Sequence, residues 1–114
     1  MIGAIAGFVF TPLSVLLFLN AFGVTDVQRL FGLDILLVAA VGLVILQVAN
    51  IVDSHVQGHN LYITYTVHIL SAFPSFVYFL SLALAMPASV TGALPMIFAS
   101  FMFLEGLWSL FEFT

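Results

Sequence analysis

The chain has 114 residues, of which 64% are hydrophobic and 5% are charged, whereas a soluble domain carries about 25% charged residues. One basic and five acidic side chains cannot cover the surface of a water-soluble domain of this length, so the composition predicts a single membrane domain over residues 1–114. The absence of Cys and Lys excludes disulfides, Cys-based metal sites and a basic surface for nucleic acid.

The first predicted transmembrane helix covers residues 2–20. This run is uncharged, and about 20 apolar residues span a bilayer. No Lys or Arg precedes it and no Ala-x-Ala site follows it, so we interpret it as a helix and not as a cleavable signal peptide. Gly3 and Gly7 predict the close approach of another helix, and Pro12 predicts a kink.

The first connection predicts a short helix on the membrane surface. Thr25 and Gln28 fit a capping box, in which a hydroxyl residue is followed three positions later by Gln. This pattern predicts a helix over residues 26–31. Asp34 is then the predicted N-cap of the second transmembrane helix, residues 35–54.

Turn and loop signals set the boundaries of the third and fourth predicted spans. Gly58 predicts the turn into the third span, residues 61–86, and Pro74 predicts a kink within it. Residues 87–95 contain two prolines, one glycine and two hydroxyls, which predict a loop. The fourth span is predicted over residues 95–113.

Four spans with three short connections predict an all-α integral membrane protein, in which four transmembrane helices form an antiparallel up-down-up-down bundle. This topology brings residues 50–68 and the end of the fourth helix to one side of the membrane. The polar side chains that enter the spans are therefore concentrated in one half of the bundle. Such groups are expected to face the bundle interior, because exposing them to lipid is costly.

His68 and Glu105 are predicted to meet in this polar half. At a rise of about 1.5 Å per residue, both side chains reach overlapping depths in the bilayer. A carboxylate at that depth needs a partner, so Glu105 is predicted to face inward and to pair with His68, or with an amide of the second helix. The supporting polar face is predicted to consist of Gln47, Asn50, Ser109 and Glu112.

A metal ion and haem b are alternative ligands of the same region. His55 and His59 are four residues apart, which puts two imidazoles on one helix face, and Asp53 is a further candidate metal ligand. Gly58 interrupts this pair, and the other interpretation is a hydrated surface loop. His55 and His68 are candidate haem ligands, but their predicted depths differ and no basic side chain is near for the propionates. No bound cofactor is therefore predicted.

The chain is predicted to function through contacts with other transmembrane helices. The chain is expected to be a non-enzymatic accessory or structural subunit of a larger membrane complex, or a homo-oligomer, because it has no Cys nucleophile and no serine in a recognisable nucleophile elbow. The alternative is proton or ion translocation through a polar half-channel that contains His68 and Glu105. Arg29, the sole basic side chain, predicts a cytoplasmic first connection, with the His-containing loop and both termini on the other side.

Overall fold

A computed structural model of the chain describes residues 2–58 and 60–112, the last of them without its side chain. The described chain is mostly helical, and four of its helical segments are long and apolar enough to cross a membrane. The elements are α1 (Ile2–Ala21), β1 (Arg29–Leu30), β2 (Leu33–Asp34), α2 (Ile35–Gln57), α3 (Leu61–Ser71), α4 (Phe73–Ala83) and α5 (Ala88–Glu112). α3 and α4 together form one of the four segments.

The connection between α1 and α2 is a β-hairpin, so the predicted helix over residues 26–31 is wrong. β1 pairs antiparallel with β2 across Phe31 and Gly32, whose φ angles are 56° and 78°. Gly32 adopts its angle without steric cost, whereas a positive φ is uncommon for a residue with a side chain such as Phe31. Two positive φ angles are typical of a tight two-residue hairpin turn. The Thr25 hydroxyl, predicted to cap a helix, instead donates to the side-chain oxygen of Asn20.

Both ends of α2 are capped by the residues that the sequence predicts. The Asp34 carboxylate accepts the backbone N–H of Leu36 at 2.8 Å. Gly58 ends the helix with a φ of 72°, in the left-handed region that favours glycine. The helix itself continues to Gln57, which is further than predicted. Asn60 then caps α3 by accepting two backbone N–H groups of its first turn.

The third predicted span consists of two helices and not one kinked helix. α3 ends at Ser71, α4 begins at Phe73, and Ala72 lies between them. Pro74 lies in the first turn of α4, where its missing N–H removes no helical hydrogen bond. The predicted kink is therefore a break that precedes the proline.

The last helix begins before the predicted start, so the predicted loop over residues 87–95 is wrong. α5 starts at Ala88 and contains Pro95. Two backbone N–H groups of its first turn donate to the carbonyl of Pro87. Proline is tolerated inside membrane helices, because neighbouring groups can satisfy the carbonyl that it frees.

α2 contacts all the other helices, and α1 packs most extensively against α5. At the α1–α5 contact, a Cβ added to Gly7 would lie 2.6 Å from the carbonyl oxygen of Gly106, and one added to Gly106 would overlap the Thr11 hydroxyl. The two backbones therefore lie close together at Gly7, one of the two glycines that predict the approach of another helix. The fully buried core side chains include Leu43 and Leu46 of α2 and Phe98 and Met102 of α5.

Candidate functional site

One face of α2 carries buried polar side chains. Gln47, Asn50 and Asp53 are three residues apart, which keeps them on one side of the helix, and none is more than 3% exposed. Val48 and Val52 on other faces are 54% and 39% exposed. The helix therefore turns polar groups inward and apolar groups outward, which is the reverse of a helix on a soluble protein.

His68 connects α3 to α2 and α5. It is buried, and together with Thr64 it makes up the buried residues of α3. Its Nδ1 lies 2.7 Å from Gln47 Oε1; because an amide oxygen only accepts, this contact assigns a hydrogen to Nδ1. The same nitrogen lies 3.5 Å from Glu105 Oε2. Both side chains of the predicted pair therefore lie within reach of each other.

Asn50 and Ser109 extend these contacts. The Asn50 amide nitrogen lies 3.4 Å from Glu105 Oε2. The Ser109 hydroxyl lies 2.7 Å from Asn50 Oδ1 and 2.8 Å from the backbone oxygen of Glu105, so its one hydrogen has two acceptors. These contacts join α2, α3 and α5 through a group that we call the polar cluster: Gln47, Asn50, His68, Glu105 and Ser109.

The polar cluster is not fully satisfied. Gln47 Nε2 is buried and has no hydrogen-bond partner among the described residues. Such an orphaned donor costs about 1–3 kcal/mol. The Glu105 side chain is 12% exposed, and the two donors that approach its carboxylate do so at 3.4 and 3.5 Å. A charge-assisted hydrogen bond is usually about 2.7–2.9 Å long, so the carboxylate is weakly solvated by the protein.

The candidate metal and haem ligands have other partners. Asp53 accepts the backbone N–H of Gly3, which directs it towards α1. His55 is exposed, and its Nε2 lies 2.7 Å from the Tyr65 hydroxyl. His59 lies outside the described residues. Among the residues that the structure describes, no group of three His, Asp or Glu side chains is arranged to hold a metal ion.

The two predicted haem ligands, His55 and His68, have different surroundings. His55 contacts the Tyr65 ring edge-on, with ring centroids 5.6 Å apart, at the exposed end of α2. His68 is buried among the helices. The two imidazoles therefore differ in exposure and have separate partners, whereas a haem pocket with two histidine ligands requires imidazoles that face each other across a shared space.

Two buried serines outside the polar cluster donate to backbone carbonyls, whereas the buried hydroxyl oxygen of Thr11 has no hydrogen-bond partner among the described residues. Ser14 Oγ donates to the carbonyl of Thr11, within its own helix, as short hydroxyl side chains in helices often do. Ser75 Oγ donates across helices to the carbonyl of Ala40 at 2.8 Å. The sequence does not predict the second contact, because serine spacing carries no information about which helix it meets. The side chain of Glu112 is not among those described.

A cavity of about 520 Å³ lies beside the hairpin, away from the polar cluster. It is bounded by the hairpin, the end of α1, the beginning of α2 and the early part of α5. Its polar lining consists of Asn20, Asp26, Gln28 and Asp34. The sequence does not predict this cavity, because it depends on the hairpin and on the early start of α5.

In the polar cluster, side chains from three helices meet, and the buried imidazole of His68 lies beside the partly buried carboxylate of Glu105. Comparisons of the chain with protein-family models, curated proteins and solved structures find no match. The chemistry of these residues is therefore the basis for inferring function.

Proposed function

We propose that the chain is a multi-pass integral membrane protein that acts through helix–helix contacts, as a small non-catalytic subunit of a larger membrane complex or as a homo-oligomer. The observation that carries the proposal is the reversed polarity of its helices. Gln47, Asn50 and His68 are buried, whereas large apolar side chains such as Phe8 and Phe111 are 75% and 82% exposed. This arrangement suits a lipid solvent.

Contacts between helix ends support an antiparallel up-down-up-down bundle. The Gly3–Asp53 hydrogen bond joins the beginning of α1 to the end of α2. The Ser109–Asn50 hydrogen bond joins the end of α2 to the end of α5. Since α3 follows α2 after a short turn, the polar half of the bundle lies at one membrane face.

The outward face of α3 and α4 supports partner contact. Only a few residues of these two helices are buried, although together they are as long as the other candidate spans. Packing against another transmembrane helix would bury this surface. The packed side chains would gain dispersion contacts, which contribute to helix association in lipid. The exposed side chains of this face include Ile63, Ile69, Leu70, Phe73 and Phe76.

Site-specific photo-crosslinking in native membranes tests the contact role. A photoreactive amino acid at Ile69, which is 63% exposed, is expected to capture a second protein chain. The matched control is Met102, which is fully buried and is expected to give only adducts within the chain. Lipid adducts alone at Ile69 and Phe73, together with a monomer on native gels, would contradict the proposal.

We further propose that the hairpin faces the cytoplasm and that the His-containing loop and both termini face the other side. Arg29 in β1 is the only basic side chain, and positive residues favour the cytoplasmic side. The chain has no Cys, so Gln28→Cys and Gln57→Cys each introduce a single thiol at an exposed position. Gln57→Cys should react with an impermeant reagent from outside and Gln28→Cys should not; the reverse labelling would overturn the orientation.

Proton or ion translocation is a second candidate, favoured by the contact between His68 and Glu105. Buried ionisable pairs inside membrane helices often mark ion pathways. Against a complete pathway, Ser14 and Ser75 in the other half bond to backbone carbonyls. Proteoliposomes that carry the protein would show proton flux that disappears in Glu105→Gln if the chain translocates protons. If neither the unchanged protein nor the Glu105→Gln variant shows proton flux, proton translocation is rejected and the contact role remains.

A further inference from the structure

The polar cluster contains two titratable side chains, His68 and Glu105, and no permanent positive charge. The only basic side chain of the whole sequence, Arg29, lies in the hairpin. α1 carries no titratable side chain between residues 2 and 21. The titratable group that α2 turns inward is Asp53, which is acidic. Asp53 is directed towards the beginning of α1, where it accepts the backbone N–H of Gly3. Among the described side chains that contact Glu105, His68 is the one that can carry a positive charge.

The other titratable side chains of the neighbouring helices do not neutralise Glu105 either. α4 turns Tyr78 inward, and its ring packs against Phe98. On the outer side, His55 and Tyr65 bond to each other and are exposed. Within the part of the chain that the structure describes, His68 is thus the only buried group that could balance the charge of Glu105.

The contacts of Glu105 are too long to stabilise a full negative charge well. The Asn50 amide and His68 Nδ1 approach the carboxylate at 3.4 and 3.5 Å. An ionised carboxylate beside a neutral imidazole would leave one net negative charge in an apolar interior, which is strongly disfavoured. One added proton removes that charge. It can sit on the second nitrogen of His68, giving an imidazolium–carboxylate pair, or on the Glu105 carboxyl group.

We propose that His68 and Glu105 form a proton-binding site that holds one proton between them at neutral pH, beyond the hydrogen that the neutral imidazole carries on Nδ1. Gln47 Oε1 accepts that Nδ1 hydrogen at 2.7 Å in both protonation forms, so Gln47 is a positioning residue that keeps the imidazole turned towards Glu105. The inference rests on the proposed membrane location, since water would solvate an ionised Glu105.

Histidine nitrogen NMR together with infrared spectroscopy tests the site in lipid nanodiscs. A His55→Gln/His59→Gln background leaves His68 as the only histidine, so ¹⁵N-histidine labelling reports on one ring. At neutral pH we expect either an imidazolium signal from His68 or the carbonyl stretch of a protonated carboxyl group. Addition of Glu105→Gln should abolish whichever signature is present, because it removes the charge that required the proton.

Two results would overturn the proposal. One is a neutral His68 ring together with ionised carboxylates at neutral pH in the background protein, and this result needs no further variant to fold. The other is a proton signature that persists unchanged in Glu105→Gln. Impermeant labelling of the Gln57→Cys and Gln28→Cys variants in proteoliposomes separates these outcomes from failure of the membrane proposal: correct insertion with a neutral ring and ionised carboxylates would reject the proton site alone.

Discussion

The α1–α5 contact and the attachment of α3 hold helices together by different means. α1 and α5 approach through small residues, and a Cβ at Gly7 would lie 2.6 Å from the Gly106 carbonyl oxygen. α3 turns only Thr64 and His68 into the protein, and His68 reaches α2 and α5 through polar atoms. The first contact depends on shape and the second on hydrogen bonding and charge.

This difference has a consequence for substitutions. In lipid, apolar surface gains little by leaving one apolar environment for another, so close packing and polar contacts carry helix association. At the α1–α5 contact, added volume should be the damaging change. At α3, the damaging change should be loss of a polar partner at constant volume.

Gly7→Ala should have the largest effect. The added Cβ meets a backbone oxygen and lies 3.0 Å from Ser109 Cβ, so α1 and α5 must separate; overpacking of this kind costs about 1–3 kcal/mol. The control is Gly92→Ala, which has open space around its Cβ and should gain about 0.5–1 kcal/mol from helix propensity. Unfolding in mixed micelles, followed by circular dichroism, measures both. Equal stabilities would contradict close α1–α5 packing.

Asn50→Leu should follow at about 1–2 kcal/mol, since it removes a buried hydrogen-bonding partner at similar volume. Asn50 is fully buried and accepts from Ser109 at 2.7 Å. Val48→Leu on an exposed face of α2 is the control, with an expected change within about 0.5 kcal/mol. The same unfolding assay applies. If the Asn50 variant is no less stable than its control, the polar cluster does not hold the helices together.

Ser75→Ala should cost about 0.6 kcal/mol, the average for a hydrogen bond between membrane helices. The variant loses the 2.8 Å bond to the Ala40 carbonyl, but that carbonyl lies within α2 and can keep its helical bond. Ser89→Ala, at an exposed position in the first turn of α5, is the control and should change stability less. A loss larger than that of Asn50→Leu would reverse the expected order.

Tyr65→Phe should have the smallest effect, within about 0.5 kcal/mol, because exposed contacts contribute little. The variant removes the hydroxyl that lies 2.7 Å from His55 Nε2 and retains the ring contact. Differential scanning calorimetry of both proteins in the same detergent would reveal any difference. A loss above about 1 kcal/mol would mean that this pair is shielded from solvent in the assembled protein.

Periodic and capping signals in the sequence predict much of the fold. Uninterrupted apolar runs predict the candidate spans, and Asp34 and Gly58 cap α2 as predicted. Depth counted along the helices predicts that His68 and Glu105 approach each other, and His68 Nδ1 lies 3.5 Å from Glu105 Oε2. These features depend on local geometry, which residue spacing encodes directly.

The sequence fails where a distant or competing contact decides the local structure. Thr25 and Gln28 predict a helix cap, but the Asn20 side chain takes the Thr25 hydroxyl and the chain forms a hairpin. Pro95 predicts a loop, but α5 continues through it. The hydrogen bonds that join Ser109 to Asn50 and Ser75 to Ala40 depend on helix rotation, which single-sequence patterns do not specify.

A double-mutant cycle between His68 and Glu105 tests most directly whether this pair fastens α3 to α5. His68→Leu leaves Glu105 with only its Asn50 contact, and Glu105→Leu leaves His68 with only its Gln47 contact. The double variant removes both titratable side chains. Stability measured for all four proteins should therefore show the double variant less destabilised than the sum of the single variants, by about 1 kcal/mol or more. Additive losses, within about 0.5 kcal/mol, would contradict the pairing.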